Sequence, residues 1–110
     1  MVDAGSAGIG VAGALLEASV LAIVARGDTY GYALTQQIRE QLHVAESTIY
    51  PVLRRLQSTG CLGCYDVPTD GRNRRYYCCT ELGRRRLGLL IAQWQEMKTM
   101  LDSLLTTEAQ

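Results

Sequence analysis

Apolar residues recur at alternating intervals of three and four near the end of the chain, and this spacing strongly constrains the fold. The series comprises Leu87, Leu90, Trp94, Met97, Leu101 and Leu104. It forms a heptad seam of nearly three repeats, the pattern of a helix that packs along another helix. At 1.5 Å per residue this helix would be about 35 Å long, too long to be covered by one small domain. The seam therefore predicts that two copies of the chain pair through their last helices.

Three shorter helices are predicted before this one. An almost wholly apolar segment from about Leu15 to Ala25 predicts the first helix. Apolar residues four apart between Tyr30 and Leu42 predict the second, with Asp28 or Thr29 as its cap. A single apolar stripe predicts a third helix that ends before Gly60, with Ile49, Val52, Leu53 and Leu56 on its buried side. Two short helices joined by a tight connection predict a helix-turn-helix unit.

A β-hairpin is predicted next. The segments 61–67 and 73–79 contain β-branched, aromatic and cysteine residues, and the turn dipeptide Asp70-Gly71 lies between them. Thr80 would then cap the long final helix. The expected fold is therefore mainly α with a small β-hairpin, a winged helix-turn-helix with an added dimerisation helix. We expect a flexible arm over residues 1–13, a DNA-binding domain over 14–79 and the dimerisation helix over 80–107.

Charge is unevenly distributed along a chain of 110 residues that is neutral overall. The segment from Arg54 to Arg86 contains eight arginines and three acidic residues, a local net charge of +5. Arginine suits phosphate groups and guanine edges, so this segment is the expected contact surface for double-stranded DNA. The only histidine, His43, has no acid or nucleophile at a recognisable spacing, so we do not expect an enzyme.

Residues 8–25 form an apolar stretch interrupted by one charge, Glu17. A membrane span needs about 20 apolar residues, and an acid at its centre is costly. Asp3 is the only charge before the stretch, so the basic segment of a signal peptide is also missing. These observations favour a buried helix in a soluble cytoplasmic protein with no membrane partner.

Three motifs in this order resemble the PadR family of bacterial transcription regulators. They are Asp28–Leu34, Thr48–Leu56 followed by Gly60, and Gly71–Tyr77 followed by Thr80–Gly83. The single C-terminal helix resembles the short subfamily, which includes the lactococcal multidrug-resistance regulator. The resemblance implies a winged-helix homodimer that usually represses by binding inverted repeats, and some members release DNA on binding a small aromatic effector.

Two positions depart from an ideal third helix. Ala45 stands where relatives usually place a serine cap, so Glu46, Ser47 or water would have to cap this helix. Pro51 lies inside it and removes one hydrogen bond. The apolar pattern alone would end the helix at Pro51, and only the family resemblance extends it further.

The candidate DNA contacts fall on the third helix and the hairpin, although a solvated helix face and a core tyrosine are the alternatives for some of them. The third helix would present polar side chains to the major groove or its phosphates, and the hairpin would contact the backbone or minor groove. Strand alternation places Arg74 and Arg75 on opposite faces, and Arg84, Arg85 and Arg86 are interpreted mainly as a solvated surface. The candidates are Ser47, Thr48, Tyr50, Arg54, Arg55, Arg72, Arg74, Arg75 and Tyr32.

The predicted dimer interface adds Leu16 and Val20 of the first helix to the heptad seam. Trp94 has two interpretations, a heptad core residue or a plate on which an aromatic ligand stacks. The family resemblance implies the second, in a pore between subunits that Trp94, Leu90, Ala18 and Ala22 would line. Lys98 stands where the drug-binding relative has an acid, which argues against cationic drugs.

Four cysteines leave a further alternative open. Cys61 and Cys64 have the spacing of a zinc half-site, but Cys78 and Cys79 are adjacent on a strand and point to opposite faces. A disulfide between Cys64 and Cys78 across the hairpin is conceivable, although a reducing cytoplasm disfavours it. Small buried thiols with no metal or cofactor are the main expectation. The rival functions are a thiol- or metal-responsive regulator and a winged-helix protein-interaction module.

Overall fold

The computed structural model describes residues 11–106, and these form four helices and three strands. Their order agrees with the predicted winged helix, apart from one additional short strand. The elements are α1 Val11–Arg26, β1 Thr29–Tyr30, α2 Gly31–Leu42, α3 Glu46–Ser58, β2 Leu62–Thr69, β3 Arg72–Cys79 and α4 Glu81–Thr106.

The three strands form one antiparallel sheet in the order β1-β3-β2, and β1 was not predicted. Thr29 pairs with Tyr77 and Tyr30 with Tyr76. A strand of two residues shows no alternation, so nothing in the sequence pattern separates it from the start of a helix. The prediction that Asp28 or Thr29 caps α2 is wrong, because Tyr30 is the N-cap and makes no side-chain cap hydrogen bond.

Helix α1 lies at the centre of the core and explains the apolar stretch. It begins at Val11, so residues 11–13 of the predicted arm are helical, and residues 1–10 lie outside the described part of the chain. Leu16, Val20, Leu21 and Val24 are all buried within the single chain. Both side chains are covered by their own protomer, so Leu16 and Val20 have little area left for the dimer interface to which the sequence assigns them. Across residues 11–106, the helices lack the combined length and apolar character of a membrane span.

Helix α3 continues through Pro51 to Ser58 as the family resemblance implied. Pro51 and Ser47 are both exposed, so water can reach the carbonyl group that loses its partner. Ala45 is the N-cap and makes no side-chain cap hydrogen bond. The carboxylate of Glu46 in the first turn stabilises the helix, because it lies beside the positive end of the helix dipole. Its Oε2 lies 3.6 Å from Arg39 Nη1.

The hairpin is closed by a two-residue turn. Asp70 and Gly71 have φ angles of 51° and 81°, the left-handed backbone that a type I′ turn requires at both positions. Thr69 pairs with Arg72, and the ladder extends to Leu62 and Cys79. The hairpin prediction is confirmed, with each strand slightly longer than expected.

Thr80 caps α4 at the junction between the sheet and the long helix. The backbone N–H of Gly83 donates to Thr80 Oγ1 at 3.0 Å, and the Thr80 hydroxyl donates to the carbonyl of Gly60 at 2.6 Å. This cap was predicted from the sequence. It joins the end of α3, the start of β2 and the start of α4 in one corner.

Gly83 makes a close approach in this corner that no larger residue allows. A Cβ built there would lie 2.1 Å from the carbonyl oxygen of Cys61 and 3.0 Å from Cys79 Sγ. We expect Gly83→Ala to lower the free energy of unfolding by about 2–3 kcal/mol, because backbone atoms must move to admit the methyl group. Urea unfolding followed by circular dichroism measures this.

Gly88→Ala is the matched control, because it is the same substitution five residues along the same helix. Nothing lies within 4 Å of a Cβ at Gly88, so the change should stabilise the helix by about 1 kcal/mol. Equal effects of the two substitutions would contradict the packing described here.

Candidate nucleic-acid interface

Helix α3 has one buried and one exposed side. Ile49, Val52, Leu53 and Leu56 enter the core, as predicted. On the opposite side Ser47, Tyr50 and Arg54 are exposed, and Tyr50 is 42% exposed. These three side chains lie within about 60° of one another around the helix at 100° per residue. A hydroxyl, a phenol and a guanidinium on one convex face can donate to base edges and phosphates.

Thr48 and Arg55 lie on a different flank of α3 from these three residues. Both face α1 and line a mostly apolar depression of about 490 Å³, which we name the α1–α3 groove. They therefore do not share the exposed face of Ser47, Tyr50 and Arg54, although the sequence places all five among the candidate DNA contacts. The groove walls are Ala12, Gly13, Leu15, Leu16, Leu42, Val44, Thr48, Pro51, Val52 and Arg55.

We call the hairpin of β2 and β3 the wing. Its inner face packs beside α3. Gln57 of α3 donates from Nε2 to Cys64 Sγ at 3.1 Å. Tyr77 packs against the core, and burial raises the pKa of its phenol. On the same face Arg75 pairs across the strands with Asp66 at 3.4 Å. The exposed face of α3 and the wing therefore form one continuous surface.

The outer face of the wing carries stacked aromatic rings that the sequence analysis missed. Tyr76 stacks on Tyr65 with ring centroids 5.6 Å apart, and it contacts Tyr30 at 5.7 Å. The Arg74 guanidinium lies 4.4 Å from the centroid of the Tyr30 ring, an arrangement that fixes its position. Arg74 and Arg75 thus point to opposite faces, as alternation predicted.

A hydrogen bond ties this outer face to the corner between α1 and α2. The Tyr65 hydroxyl donates to Asp28 Oδ2 at 2.6 Å. This bond is the main reason that the pKa of Tyr65 is raised to about 12. The pairing of Tyr65 with Tyr76 follows from the hairpin register, and that register could have been counted outward from the Asp70-Gly71 turn.

An open cleft of about 520 Å³ separates the wing from the beginning of α2 and gathers several predicted contacts. Three arginines and two tyrosines converge there, and the exposed ring of Tyr32 is among them. Guanidinium groups suit phosphate oxygens, which they can contact through two donors at once. The lining residues are Tyr30, Gly31, Tyr32, Arg72, Asn73, Arg74 and Arg75.

The cysteines do not pair as one hypothesis suggested. Cys64 lies opposite Tyr77 and Cys78 lies opposite Gly63, so Cys64 and Cys78 are not cross-strand partners. All four cysteines are free thiols, and burial raises the pKa of the Cys79 thiol. Within residues 11–106, no three histidine, cysteine or acidic side chains come close enough to hold a metal ion.

The predicted pore residues are only partly brought together. Ala18, Leu90 and Trp94 line a small pocket of about 60 Å³ between α1 and α4. Ala22 was expected there, but it lines a separate pocket formed by α1 and α2. It lies one turn beyond Ala18 on α1, where the helix meets α2 rather than the middle of α4.

The heptad seam passes from the core to the surface as α4 leaves the body of the chain. Leu87 packs against the core and Leu90 is 4% exposed, so Leu90 is covered largely by its own protomer. Trp94 and Leu101 are 36% and 38% exposed, and Leu104 is 73% exposed. The longest dimension of the fold is 63 Å against 27 and 26 Å for the others.

Arg86 does not belong to a solvated surface, which corrects the interpretation of Arg84–Arg86. Its Nη2 donates to Glu17 Oε1 at 3.0 Å, and the Glu17 side chain is only 5% exposed. This bond raises the pKa of Arg86. The ion pair between Glu17 and Arg86 therefore joins α1 to α4. Arg84 reaches the carbonyl of Ala25 at 3.5 Å, whereas Arg85 is mostly exposed.

Together, the helix-turn-helix formed by α2 and α3 and the adjoining arginine-bearing wing define a winged helix-turn-helix protein. A family model described as the transcriptional regulator PadR-like family matches residues 20–89. The chain belongs to this PadR family of transcriptional regulators, and the family resemblance of its three motifs is confirmed.

Individual relatives agree with this assignment. A Streptococcus mutans protein of known structure is 35% identical, with a TM-score of 0.77 over 88% of this chain and 90% of that chain. A PadR family transcription regulator from Clostridium difficile is 27% identical, with a TM-score of 0.74 over 82% of this chain and 97% of that one. A transcriptional regulator from Mycobacterium tuberculosis is 38% identical over 69 residues, which is 62% of this chain and 64% of the relative.

Proposed function

We propose that the protein is a homodimeric transcription repressor that binds a palindromic DNA operator. In this proposal α3 enters the major groove, the wing holds the phosphate backbone, and α4 joins the two chains. The observation that carries the proposal is the exposed face of α3 with Ser47, Tyr50 and Arg54, which lies directly beside a wing rich in arginine.

The division of labour between helix and wing follows from the side chains. Tyr50 and Arg54 stand on a convex helix face that fits a major groove about 12 Å wide. Arg72 and Arg74 line the cleft beside Tyr32, where a phosphate group can be held from two sides. Arg75 forms an ion pair with Asp66, so it contributes less to binding phosphate than Arg72 and Arg74 do.

The symmetry of the dimer dictates the form of the operator. Two identical chains related by a two-fold axis present two copies of α3 at a fixed spacing. Their preferred target is an inverted repeat whose half-sites lie about one helical turn apart. Because α4 of one chain would cover apolar side chains of the other, the dimer has to form before both half-sites are bound with full affinity.

A small aromatic effector is the finer part of the proposal. The pocket beside Trp94 holds only about 60 Å³ in one chain, far less than a drug-sized ligand needs. The two-fold axis would place a second such pocket opposite the first, and together they would form a larger cavity between two tryptophans. Quenching of Trp94 fluorescence by planar aromatic compounds tests this directly, because Trp94 is the only tryptophan of the chain.

Selection of bound duplexes from a random pool tests the DNA-binding proposal. We expect recovery of an inverted repeat, with log affinity falling linearly as log salt concentration rises. Arg54→Ala should weaken operator binding at least about tenfold, since a lost base contact costs about 1–3 kcal/mol and occurs twice in the dimer. Arg72→Ala should weaken operator and random DNA alike and reduce the salt slope by about 2, one phosphate per half-site.

Arg85→Ala is the matched control, because it removes the same charge from an exposed arginine of α4 that pairs loosely with Glu81. It should leave operator affinity almost unchanged. Recovery of no inverted repeat, or equal losses for Arg54→Ala and Arg85→Ala, would overturn the proposal. Binding that ignores salt would instead support a protein-interaction module.

A further inference from the structure

The cleft between the wing and the start of α2 has two walls that belong to different parts of the chain. Arg72 and Arg74 stand on the wing, whereas Tyr30 and Tyr32 stand at the junction of β1 and α2. The backbone ladder that joins the walls is short, because β1 has only two residues. Two guanidinium groups bind a phosphate most tightly when the walls already have the right separation before binding. The side-chain contacts between the walls therefore matter for affinity.

A row of three tyrosine rings crosses the outer face of the sheet. The strand register places Tyr30, Tyr76 and Tyr65 side by side on β1, β3 and β2. The Tyr65 and Tyr76 rings are nearly parallel, with an angle of 13° between their planes, and Tyr76 meets Tyr30 at 57°. Arg74 lies over Tyr30 at the end of the row. The position of Arg74 in the cleft is thereby linked to the position of Tyr65 on the far strand.

The hydroxyl of Tyr65 ties this row to the body of the chain. Tyr65 belongs to β2, and its hydrogen bond to Asp28 crosses β3 to reach the segment before β1. A phenol that donates to a carboxylate forms a charge-assisted hydrogen bond, which is stronger than a neutral one. Both residues are exposed, so the bond restrains the wing without adding to the hydrophobic core.

The restraint acts at a point far from the tip of the wing. Tyr65 precedes Asp70 of the turn by five residues. In an extended strand this separation is about 17 Å. A rotation of the wing by about 10° at Tyr65 would therefore move Arg72, beside the turn, by about 3 Å, which is the length of a hydrogen bond. A small change at the bond is thus enough to take the arginine out of reach of a phosphate oxygen.

We propose that Asp28 and Tyr65 are positioning residues for DNA binding, which hold the wing at the angle where Arg72 and Arg74 meet a phosphate group in the cleft. Both act through the arginines rather than by touching the DNA themselves. The inference rests on the proposed binding of DNA. It gives a reason for an acidic residue only two positions before Tyr30 of the cleft wall, where a carboxylate would otherwise repel a polyanion.

Removal of one hydroxyl group tests the proposal. Tyr65→Phe keeps the ring in the stack and removes the donor. We expect its operator affinity to fall about five- to tenfold, because an unrestrained wing must be ordered when it binds. Circular dichroism and sedimentation velocity should show a folded dimer like that of the original chain.

Tyr76→Phe is the matched control, because it removes a hydroxyl from the neighbouring ring of the same stack. No hydrogen bond joins the Tyr76 hydroxyl to any residue from 11 to 106. This variant should therefore bind the operator as tightly as the original chain does.

A double-mutant cycle separates the hydrogen bond from the charge of Asp28. Asp28→Ala removes an acceptor and also a carboxylate that repels phosphate, so its effect on affinity has two parts. The part due to charge is the same with or without the Tyr65 hydroxyl. We therefore expect Asp28→Ala to weaken binding about five- to tenfold more in the original chain than in Tyr65→Phe.

A second cycle shows whether the bond acts through the arginines of the wing. In a chain that carries both Arg72→Ala and Arg74→Ala, the angle of the wing no longer decides whether phosphate is bound. Adding Tyr65→Phe to that chain should change its affinity for DNA by less than about twofold. A merely structural role for Tyr65 would instead lower the affinity equally with and without the two arginines.

The outcomes separate this inference from the proposed function. If the original chain binds an inverted repeat and Tyr65→Phe binds it equally well, the inference is overturned and the repressor proposal stands. Equal losses for Tyr65→Phe and Tyr76→Phe would also overturn it, as would a full loss in the chain without the two arginines. An original chain that binds no DNA would remove both.

Discussion

Replacement of Leu101 by glutamate is expected to convert the protein into a folded monomer that no longer binds its operator tightly. Leu101 lies on the heptad seam and is 38% exposed in the single chain, so the substitution costs one protomer little. In the dimer the two-fold axis would bury two unpaired carboxylates, each costing several kcal/mol. We expect the dimer dissociation constant to rise about 1000-fold or more, as measured by sedimentation velocity.

Operator affinity should fall by at least about 100-fold in the same variant. A dimer binds its second half-site as an intramolecular event, and this gain disappears when the chains separate. Binding to random DNA at low salt should change much less, because each monomer keeps its arginines.

Thr99→Glu is the control for this prediction. Thr99 is an exposed residue of the same helix and lies about 160° around it from Leu101. Its replacement adds the same charge on the side away from the seam and should leave the dimer intact. A Leu101→Glu protein that remains dimeric, or equal loss of the dimer in both variants, would show that the chains do not pair along the seam.

Local sequence chemistry was sufficient to predict most of the fold. The Asp70-Gly71 dipeptide marks the turn, since both positions need positive φ. Thr80 marks the start of α4, where its side chain caps the helix. These predictions succeeded because each depends on residues close together in sequence. The passage of α3 through Pro51 was available only from the family resemblance, because proline normally ends an apolar helical pattern.

Features that depend on distant residues were mostly missed. The strand β1 is defined only by its pairing with β3. Its two residues are too few to show the alternation of polar and apolar side chains that marks a strand. The register error that placed Cys64 opposite Cys78 was avoidable, because a turn centred between Asp70 and Gly71 fixes Cys64 opposite Tyr77. The cleft beside Tyr32 and the α1–α3 groove both arise from packing between elements far apart in the chain.

Glu17 shows what the sequence could have indicated about the packing of α1 against α4. One acid in an otherwise apolar helix is almost never buried unless a cation pairs with it. Three arginines at the start of α4 were available, and Arg86 is the one that pairs with Glu17. The angular spread of Arg84–Arg86 by itself indicates a solvated surface, whereas the need of Glu17 for a cation indicates that one of the three packs against α1.

The ion pair between Glu17 and Arg86 leads to an asymmetric stability prediction. Arg86→Met would leave a carboxylate that is 5% exposed without its cation, and we expect a loss of about 3 kcal/mol in the free energy of unfolding. This is the lower end of the range for buried pairs, because the Arg86 side chain is 38% exposed and partly hydrated. Glu17→Met should cost less, since Arg86 can turn toward water.

The double substitution Glu17→Met with Arg86→Met should recover most of the loss, because two apolar side chains replace a buried pair at little cost. Chemical unfolding followed by circular dichroism measures all of these differences. Additive single effects, or a loss in Arg86→Met no larger than that in Glu17→Met, would mean that Glu17 does not depend on Arg86 for its place between α1 and α4.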